Sequence, residues 1–327
     1  MAKKGAFRVS VKNFVSIEDA VNEFLLEKES LNTAEKTIHN YKQSINYFVE
    51  AMFCGDYTTH IDEISKQTVE QWKVNQLDEE KRPSTINHYL RDLRVFLYWC
   101  MDDERKMIDP SFKIECVKGQ APMPKMFTEE EVQELLFKPT DIYNQYEWRN
   151  WAIVNWVIGT GHRAGTICEL RVGDIDFINK EIVLRHTKSK RLQTTPLTPE
   201  LEKQIKIYLK HCRDGCTESD YLFPNLQNEK LTQNALSRSF ARYCKRRGVQ
   251  KTNIHGLRHF FGTSLARRGY SGDKIQALLG HSTYSTTQMY INITAKDLKE
   301  DFASVSPLDS IKKADTRCPQ FKTKKRT

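Results

Sequence analysis

The sequence predicts a mainly α-helical chain with a small β-sheet, organised in two parts. Three observations predict this. Apolar residues recur at helical spacing along most of the chain, glycine and proline interrupt that pattern at 116–127, and only 176–197 has the period of β-strands. The 327 residues are enough for two domains that each bury a core, and 39% hydrophobic residues are typical of a globular protein.

The first third of the chain predicts helices with buried apolar stripes. One stripe follows a capping signal formed by Asn32 and Glu35, and another begins at Pro83. The two stripes consist of Ile38, Tyr41, Ile45, Phe48 and Met52, and of Ile86, Leu90, Leu93 and Leu97. We interpret both as core and not as binding surface.

Basic residues lie between and beside these stripes. Cations on a helix surface can face phosphates, although a solvated face explains them equally well. The candidates in this part of the chain are Lys42, Lys66, Lys73, Arg91 and Arg94.

Beyond the linker predicted at 116–127, Thr128 opens a helix with a capping box, and 148–159 is apolar enough for a buried helix. The stretches 181–186 and 191–195 predict two β-strands joined by a polar turn. Helices resume at Pro199–Cys212 and Thr232–Arg247. Several bases mark the last of these helices: Arg238, Arg242, Lys245, Arg246 and Arg247.

The net charge of +9 is unevenly distributed. Residues 311–327 hold seven bases against one acid, a net +6, which leaves +3 for the rest of the chain. Such a segment suits a polyanionic partner but is also common in solvated disorder. We predict that 309–327 is a basic, disordered tail.

Targeting and redox signals point to a cytoplasmic protein. No apolar run approaches the roughly 20 residues of a membrane span, and no apolar segment follows the basic N-terminal tail at 1–14. The eight cysteines form no CxxC pair, and Cys212 and Cys216 are the only close pair. Reduced thiols are therefore expected.

A cluster near the C-terminus groups cationic and donor-rich side chains with one phenol. His255 and Arg258 are one helical turn apart, His281 follows a glycine, and Tyr290 comes nine residues later. Preorganised cations stabilise the charge that grows on an attacked phosphate. They also help a tyrosine, with an ordinary pKa of about 10, to lose its proton and act as a nucleophile.

A metal site is the competing interpretation of the histidines. His255 and His259 are four residues apart, as in zinc-binding helices, and His281 is a conceivable third ligand. Zinc hydrolases with paired histidines, however, place glutamate directly after the first, where this chain has Gly256. Arg258 would also bring a cation beside the metal. We therefore predict no metal and no cofactor.

Taken together, these sequence motifs resemble those of the tyrosine recombinase and integrase family. The matching motifs in this chain are Thr160-Gly161-His162-Arg163, the hairpin lysine Lys188, His255-Gly256-Leu257-Arg258-His259, and Leu279-Gly280-His281 through Met289-Tyr290. The resemblance covers about residues 15–300. It implies a helical core-binding domain at 15–115 and a mixed α/β catalytic domain at 128–308, which together form a C-shaped clamp around DNA.

The resemblance also implies a catalytic set: Arg163, Lys188, His255, Arg258, His281 and Tyr290. Tyr290 would attack the scissile phosphate and leave a 3′-phosphotyrosine with a free 5′-hydroxyl. Because the phosphotyrosine conserves the bond energy, neither ATP nor a metal is required.

The other members of the set would assist this attack. Arg163 and Arg258 would hold the non-bridging oxygens, for which a guanidinium is well shaped. His281 would donate a further hydrogen bond, and Lys188 would protonate the leaving 5′-oxygen. His255 would accept the tyrosine proton or support that step.

The chain departs from the family pattern at one position. Members often carry glutamate three residues after the first arginine, where this chain has Thr166. That glutamate usually supports the arginine, so the sequence does not identify the group that supports Arg163. Glu169, one turn further on, is the nearest carboxylate in this stretch.

The implied function is site-specific recombination that integrates, excises or resolves DNA. Its partners would be double-stranded DNA, three further copies in a homotetramer on two sites, and an accessory DNA-bending or excision protein. It would act in the cytoplasm with the nucleoid, and its expected phosphate contacts are Lys42, Arg91, Arg94, Arg238 and Arg242. A type IB topoisomerase and a non-catalytic DNA-binding relic are the alternatives.

Overall fold

The computed structural model describes residues 15–102, 104–109, 112–119, 126–141, 143–184 and 193–280. The chain divides into two compact units between Pro122 and Met123. Each unit has its own hydrophobic core. The described cysteines are all free thiols.

The first unit is helical. Its elements are α1 (Ile17–Ser30), α2 (Glu35–Phe53), a 3₁₀ turn (Ile61–Glu63), α3 (Lys66–Asp78) and α4 (Pro83–Met101). Helix α2 packs along α4, and α1 and α3 complete the core. Both predicted stripes lie on these helices, and all their residues except the half-buried Ile38 are in this core or pack against it, which confirms their interpretation as core.

The two predicted helix starts in this unit have different outcomes. Pro83 is the first residue of α4, where its missing N–H costs nothing, as predicted. The capping signal at Asn32 is wrong. Helix α2 follows Ala34 without a side-chain cap, and Asn32 adopts a left-handed conformation (φ 54°) in the turn after α1. Asparagine tolerates that conformation and therefore occurs in turns as well as caps.

The second unit combines seven helices and three strands within its described residues. The helices are α5 (Glu129–Leu136), α6 (Gln145–Thr160), α7 (Ala164–Glu169), α8 (Pro199–Cys212), α9 (Gln233–Arg246), α10 (Ile254–Arg267) and α11 (Gly272–Leu279). The strands are β1 (Ile175–Asp176), β2 (Glu181–Leu184) and β3 (Gln193–Pro196). A 3₁₀ turn at Val172–Asp174 precedes β1.

The sheet is antiparallel in the order β1-β2-β3. Ile182 at its centre pairs with Ile175 on one side and Thr195 on the other. Residues 185–192, which contain the predicted hairpin turn, lie outside the described residues. Strand β1 was not predicted, because two residues are too short to show a period.

Helix α6 is the centre of the second unit. Its tryptophans Trp148, Trp151 and Trp156 are buried, and α8, α9 and α10 pack around it. A helix whose apolar residues extend around most of its circumference is enclosed in this way. The predicted capping box of α5 is also present between Thr128 and Glu131. Among the described residues, no helix is both long and apolar enough to cross a membrane.

Candidate active site

Helix α10 carries three residues of the sequence cluster. It begins after Asn253, whose side-chain oxygen accepts a hydrogen bond from the backbone N–H of His255 at 2.9 Å. One helical turn then separates His255 from Arg258, and His259 follows directly. Leu257 is fully buried, so this first part of α10 is anchored in the core.

Arg258 joins the ends of two other helices. Its guanidinium donates from Nη1 to the carbonyl of Gly161 at 2.6 Å and from Nη2 to the carbonyl of Leu279 at 2.8 Å. Both acceptors belong to helix C-termini, where unsatisfied carbonyls carry partial negative charge. This environment offsets part of the cost of burying the cation, whose residue is only 2% exposed.

Arg163 reaches the neighbouring carbonyl. It precedes α7, is partly buried, and donates from Nη1 to the carbonyl of Gly280 at 3.1 Å. Leu279 and Gly280 are consecutive, so the two guanidinium groups converge on one short peptide segment. A main-chain carbonyl at the end of α11 therefore helps to hold Arg163.

The carbonyls of Gly161 and Gly280 depend on glycine conformations. Both residues end a helix with positive φ, 67° and 61°. A Cβ on Gly161 would overlap the ring of Phe261 and approach Leu279 at 2.7 Å, and one on Gly280 would approach Gln193 at 2.7 Å. Larger residues at either position would displace a carbonyl that holds an arginine.

His162, between Gly161 and Arg163, is a site residue to which the sequence assigned no role. It is buried, and its Nδ1 accepts a hydrogen bond from the Trp156 indole at 3.1 Å. Nε2 therefore carries the proton and donates to Thr195 Oγ1 at 3.0 Å. Burial, followed by the charge of Arg258, lowers the pKa of His162 to about 3. This neutral ring fixes the Arg163 turn to strand β3.

His255 and His259 stack edge to face, with ring centroids 4.7 Å apart. Burial, followed by the positive charges of His259, Arg258 and Arg163, lowers the pKa of His255 to about 4. Burial and Arg258 also lower the pKa of His259. His255 is therefore neutral near pH 7 and can accept a proton.

The glutamate missing at Thr166 is not replaced by Glu169. The Glu169 carboxylate forms an ion pair with Lys230. The side chain of Gln233, at the start of α9, lies beside Gly165 of α7, where an added Cβ would meet it at 3.0 Å. Helix α9 thus supports α7 directly.

Lys188, His281 and Tyr290 lie outside the described residues. Of the six catalytic candidates, the structure brings together Arg163, His255 and Arg258. Gln193, the first residue of β3, donates to the carbonyl of Ala277 at 3.1 Å. That contact links α11 to the strand that follows the Lys188 segment in the sequence.

The candidate phosphate contacts of the first unit differ in exposure. Lys42 on α2 and Arg91 on α4 are exposed, although Arg91 also pairs with Asp92 at 3.1 Å. Arg94 is partly buried and lies over the ring of Tyr98. A further candidate, Lys66, is exposed at the start of α3.

Lys73 was wrongly included among these candidates. It is 7% exposed and donates to the Glu70 carboxylate at 2.7 Å and to the carbonyl of Glu115 at 3.0 Å. Its flexible stem allows the ammonium to turn inward toward these acceptors, a choice that helical spacing does not reveal.

The two candidates of the second unit lie on one face of α9. Arg238 and Arg242 are one turn apart and both exposed. Arg246, one turn further on, pairs with Glu147 at 2.6 Å. No group of three His, Cys, Asp or Glu side chains within the described part of the chain is arranged to hold a metal ion.

The phage integrase family model matches residues 125–297, more than half of the chain. The chain belongs to the phage integrase family. The matched segment contains Arg163 and Arg258 together with Gly161, Leu279 and Gly280, whose carbonyls accept their hydrogen bonds. Family membership therefore agrees with the resemblance inferred from the sequence.

Curated relatives of this integrase-family chain are tyrosine recombinases. XerD of Listeria innocua is 26% identical over 89% of this chain and 98% of its own length. XerA of Pyrococcus furiosus is 35% identical over 58% of this chain and 64% of its own length. The chain is thus a tyrosine recombinase, an enzyme of the class that cleaves and rejoins DNA, and neither the topoisomerase nor the relic is favoured.

Solved structures share the fold. The Tn1549 transposon integrase, in complex with transposon right end DNA, has a TM-score of 0.68 at 18% identity over 89% of this chain and 99% of its own. A lambda integrase tetramer bound to a Holliday junction has a TM-score of 0.66 at 16% identity over 85% and 78%. These similarities confirm the predicted fold class.

Proposed function

We propose that this chain recombines double-stranded DNA at specific sites through a 3′-phosphotyrosine on Tyr290, and so integrates, excises or resolves DNA. The observation that carries the proposal is the convergence of Arg163 and Arg258 on the consecutive carbonyls of Leu279 and Gly280. Two cations held this close to each other suit a single phosphate. Tyr290, the proposed nucleophile, follows this peptide segment in the sequence.

In the proposed reaction the two arginines bind the non-bridging oxygens of the scissile phosphate. A guanidinium has five N–H bonds, so it can hold a carbonyl and a phosphate oxygen at the same time. The carbonyl contacts of Arg163 and Arg258 fix their orientation before DNA binds. Little reorganisation is then needed as charge grows on the phosphate.

Proton transfer accompanies the exchange of bonds. The Tyr290 phenol oxygen bonds to phosphorus, its proton passes to His255, and the bond from phosphorus to the 5′-oxygen breaks. Lys188 protonates that leaving oxygen, and His281 donates a hydrogen bond to the phosphate. The low pKa of His255 keeps it ready as an acceptor, and the negative charge of bound DNA would raise that pKa toward neutrality. Rejoining reverses these steps.

DNA binding would use both parts of the chain. We assign core binding to 15–115, catalysis to 128–308, connection to 116–127 and additional phosphate contacts to the basic segment 309–327. Four copies would act on two sites, as a lambda integrase tetramer binds a Holliday junction. An accessory bending or excision protein would select the direction, in the cytoplasm with the nucleoid.

A nicked suicide substrate tests the nucleophile. DNA that binds the protein is first selected from a random duplex pool, and the selected site is then nicked so that cleavage cannot be reversed. The wild-type chain should form an adduct that survives denaturing electrophoresis, whereas Tyr290→Phe should bind the DNA without forming one. The matched control, Tyr284→Phe, should retain the adduct. An adduct that persists in Tyr290→Phe would exclude Tyr290.

A plasmid carrying two selected sites separates recombination from relaxation. Deletion or inversion products of defined length are expected from a recombinase. Relaxed topoisomers without exchanged partners would instead indicate a topoisomerase.

A further inference from the structure

A cationic cavity lies in the second unit, at the end of α6 remote from Arg163. It has a volume of about 190 Å³ and lies between the ends of α6 and α8 and the loop 224–228. Arg149, which lines it, precedes Thr160 by eleven residues of α6, about 16 Å along the helix. The cavity is therefore separate from the candidate active site.

Arg149 is a buried cation beside this cavity. The residue is 6% exposed, and its guanidinium donates from Nη1 to the carbonyl of Pro224 at 2.6 Å and from Nη2 to Ser239 Oγ at 3.4 Å. Its buried Nε has no hydrogen-bond partner among the described residues. Within the same residues, no carboxylate forms an ion pair with it.

Arg213 lines the same cavity from the end of α8. Its Nη1 donates to the Asn228 side-chain oxygen at 2.6 Å. Its Nε and Nη2 are buried and, in the part of the chain that the structure describes, have no acceptor. Together the two arginines contribute three guanidinium nitrogens whose buried N–H groups have no protein acceptor there. Buried hydrogen-bond donors normally have an acceptor.

The remaining lining groups are neutral. Burial raises the pKa of Cys212 to about 11 and also raises that of Tyr208, so both are protonated near pH 7. The other lining side chains are amides, a proline and a leucine. Hydrogen bonds from Thr217 hold the pKa of Asp220 below its ordinary value, and the charge of Arg213 lowers it further. The Asp220 carboxylate also accepts a hydrogen bond from Asn228 and does not line the cavity.

In a neighbouring cavity, a carboxylate accompanies the arginines. It is lined by Arg242 and Arg246, but also by Glu147, which pairs with Arg246 at 2.6 Å. Its charge is partly neutralised within the protein. The cavity between Arg149 and Arg213 has a net lining charge of +2, because both arginines are cationic and no carboxylate lines it.

We propose that the cavity between Arg149 and Arg213 binds a phosphate-class oxyanion, either inorganic phosphate or a small phosphate monoester. Buried charge is costly unless a counter-charge accompanies it. Guanidinium groups match tetrahedral oxyanions through paired N–H bonds. The volume holds a phosphate with a small substituent but not a DNA strand, so this site is independent of the recombination chemistry.

Calorimetric titration of the full-length chain tests the site in an Arg163→Ala background, which weakens phosphate binding at the candidate active site. The probes are inorganic phosphate and ribose 5-phosphate, each compared with chloride at equal ionic strength. Phosphate should bind, and adding Arg213→Gln should weaken binding by at least about tenfold, because charge-assisted hydrogen bonds are lost. The matched control Lys210→Gln, which changes an exposed cation on α8, should bind as before.

Three results would overturn the proposal: no phosphate binding above chloride, unchanged affinity after Arg213→Gln, or an equal loss after Lys210→Gln. Tighter binding of ribose 5-phosphate would identify a monoester as the ligand, and equal or weaker binding would identify inorganic phosphate.

A second measurement does not depend on the variants folding. Crystals of the wild-type chain grown with selenate, a tetrahedral dianion, should give an anomalous peak between Arg149 and Arg213. A peak confined to Arg163 and Arg258 would overturn this proposal while supporting the proposed active site.

Discussion

Replacing His162 with leucine tests whether a buried neutral imidazole supports the Arg163 turn. The folded chain lowers the pKa of His162 from 6.5 to about 3, so between these values only the unfolded chain binds the proton. Its contribution to stability is therefore complete above pH 6.5 and is lost as the pH falls toward 3. At 1.36 kcal/mol per pKa unit, the loss from this residue is about 2 kcal/mol at pH 5 and about 4 kcal/mol at pH 3, where half of the folded chains carry the proton.

The substitution should destabilise the chain less at pH 5 than at pH 7. At pH 7 His162→Leu should destabilise the fold by about 1–3 kcal/mol, because the buried Trp156 indole N–H loses its acceptor. Between pH 7 and pH 5, however, the variant should lose about 2 kcal/mol less than the wild type, since its unfolded chain no longer takes up that proton.

Urea denaturation followed by tryptophan fluorescence at pH 7 and pH 5 measures both effects. The control His39→Leu replaces an exposed histidine on α2 and should leave the pH dependence unchanged. If the wild type and His162→Leu lose the same stability between the two pH values, His162 is not held neutral in the folded chain.

Three further predictions concern the arginines and the turn beside them. Arg258→Lys should slow covalent adduct formation by about 100-fold with DNA affinity largely retained, because lysine cannot bridge two carbonyls and a phosphate. A gel assay that follows the adduct over time measures this rate, and a rate within threefold of the wild type would contradict the prediction. Gly161→Ala should lower the free energy of unfolding by about 1–3 kcal/mol more than Gly215→Ala, since both have positive φ but only the Gly161 position lacks space. Replacing both Arg238 and Arg242 with glutamine should reduce the slope of log affinity against log salt by about 2, and an unchanged slope would mean that neither contacts a phosphate.

The local elements of the fold could be predicted because their signals are local. Apolar spacing identified α2, α4 and α6, the proline at position 83 fixed the start of α4, and the Thr128 box fixed the start of α5. The failures were local ambiguities. Asn32 suits a turn as well as a cap, and the two residues of β1 are too few to show a period.

The sequence by itself determined which residue types could perform phosphate chemistry and the order in which they occur. The tertiary structure alone decided what holds them. Arg258 is 97 residues from Gly161, and Arg163 is 117 residues from Gly280, yet these pairs are hydrogen-bonded. It likewise decided that Lys73 turns inward and that His162 is buried and neutral. Spacing along a chain specifies contacts within a helical turn or a strand pair, whereas burial and distant hydrogen-bond acceptors arise only when separate elements pack together.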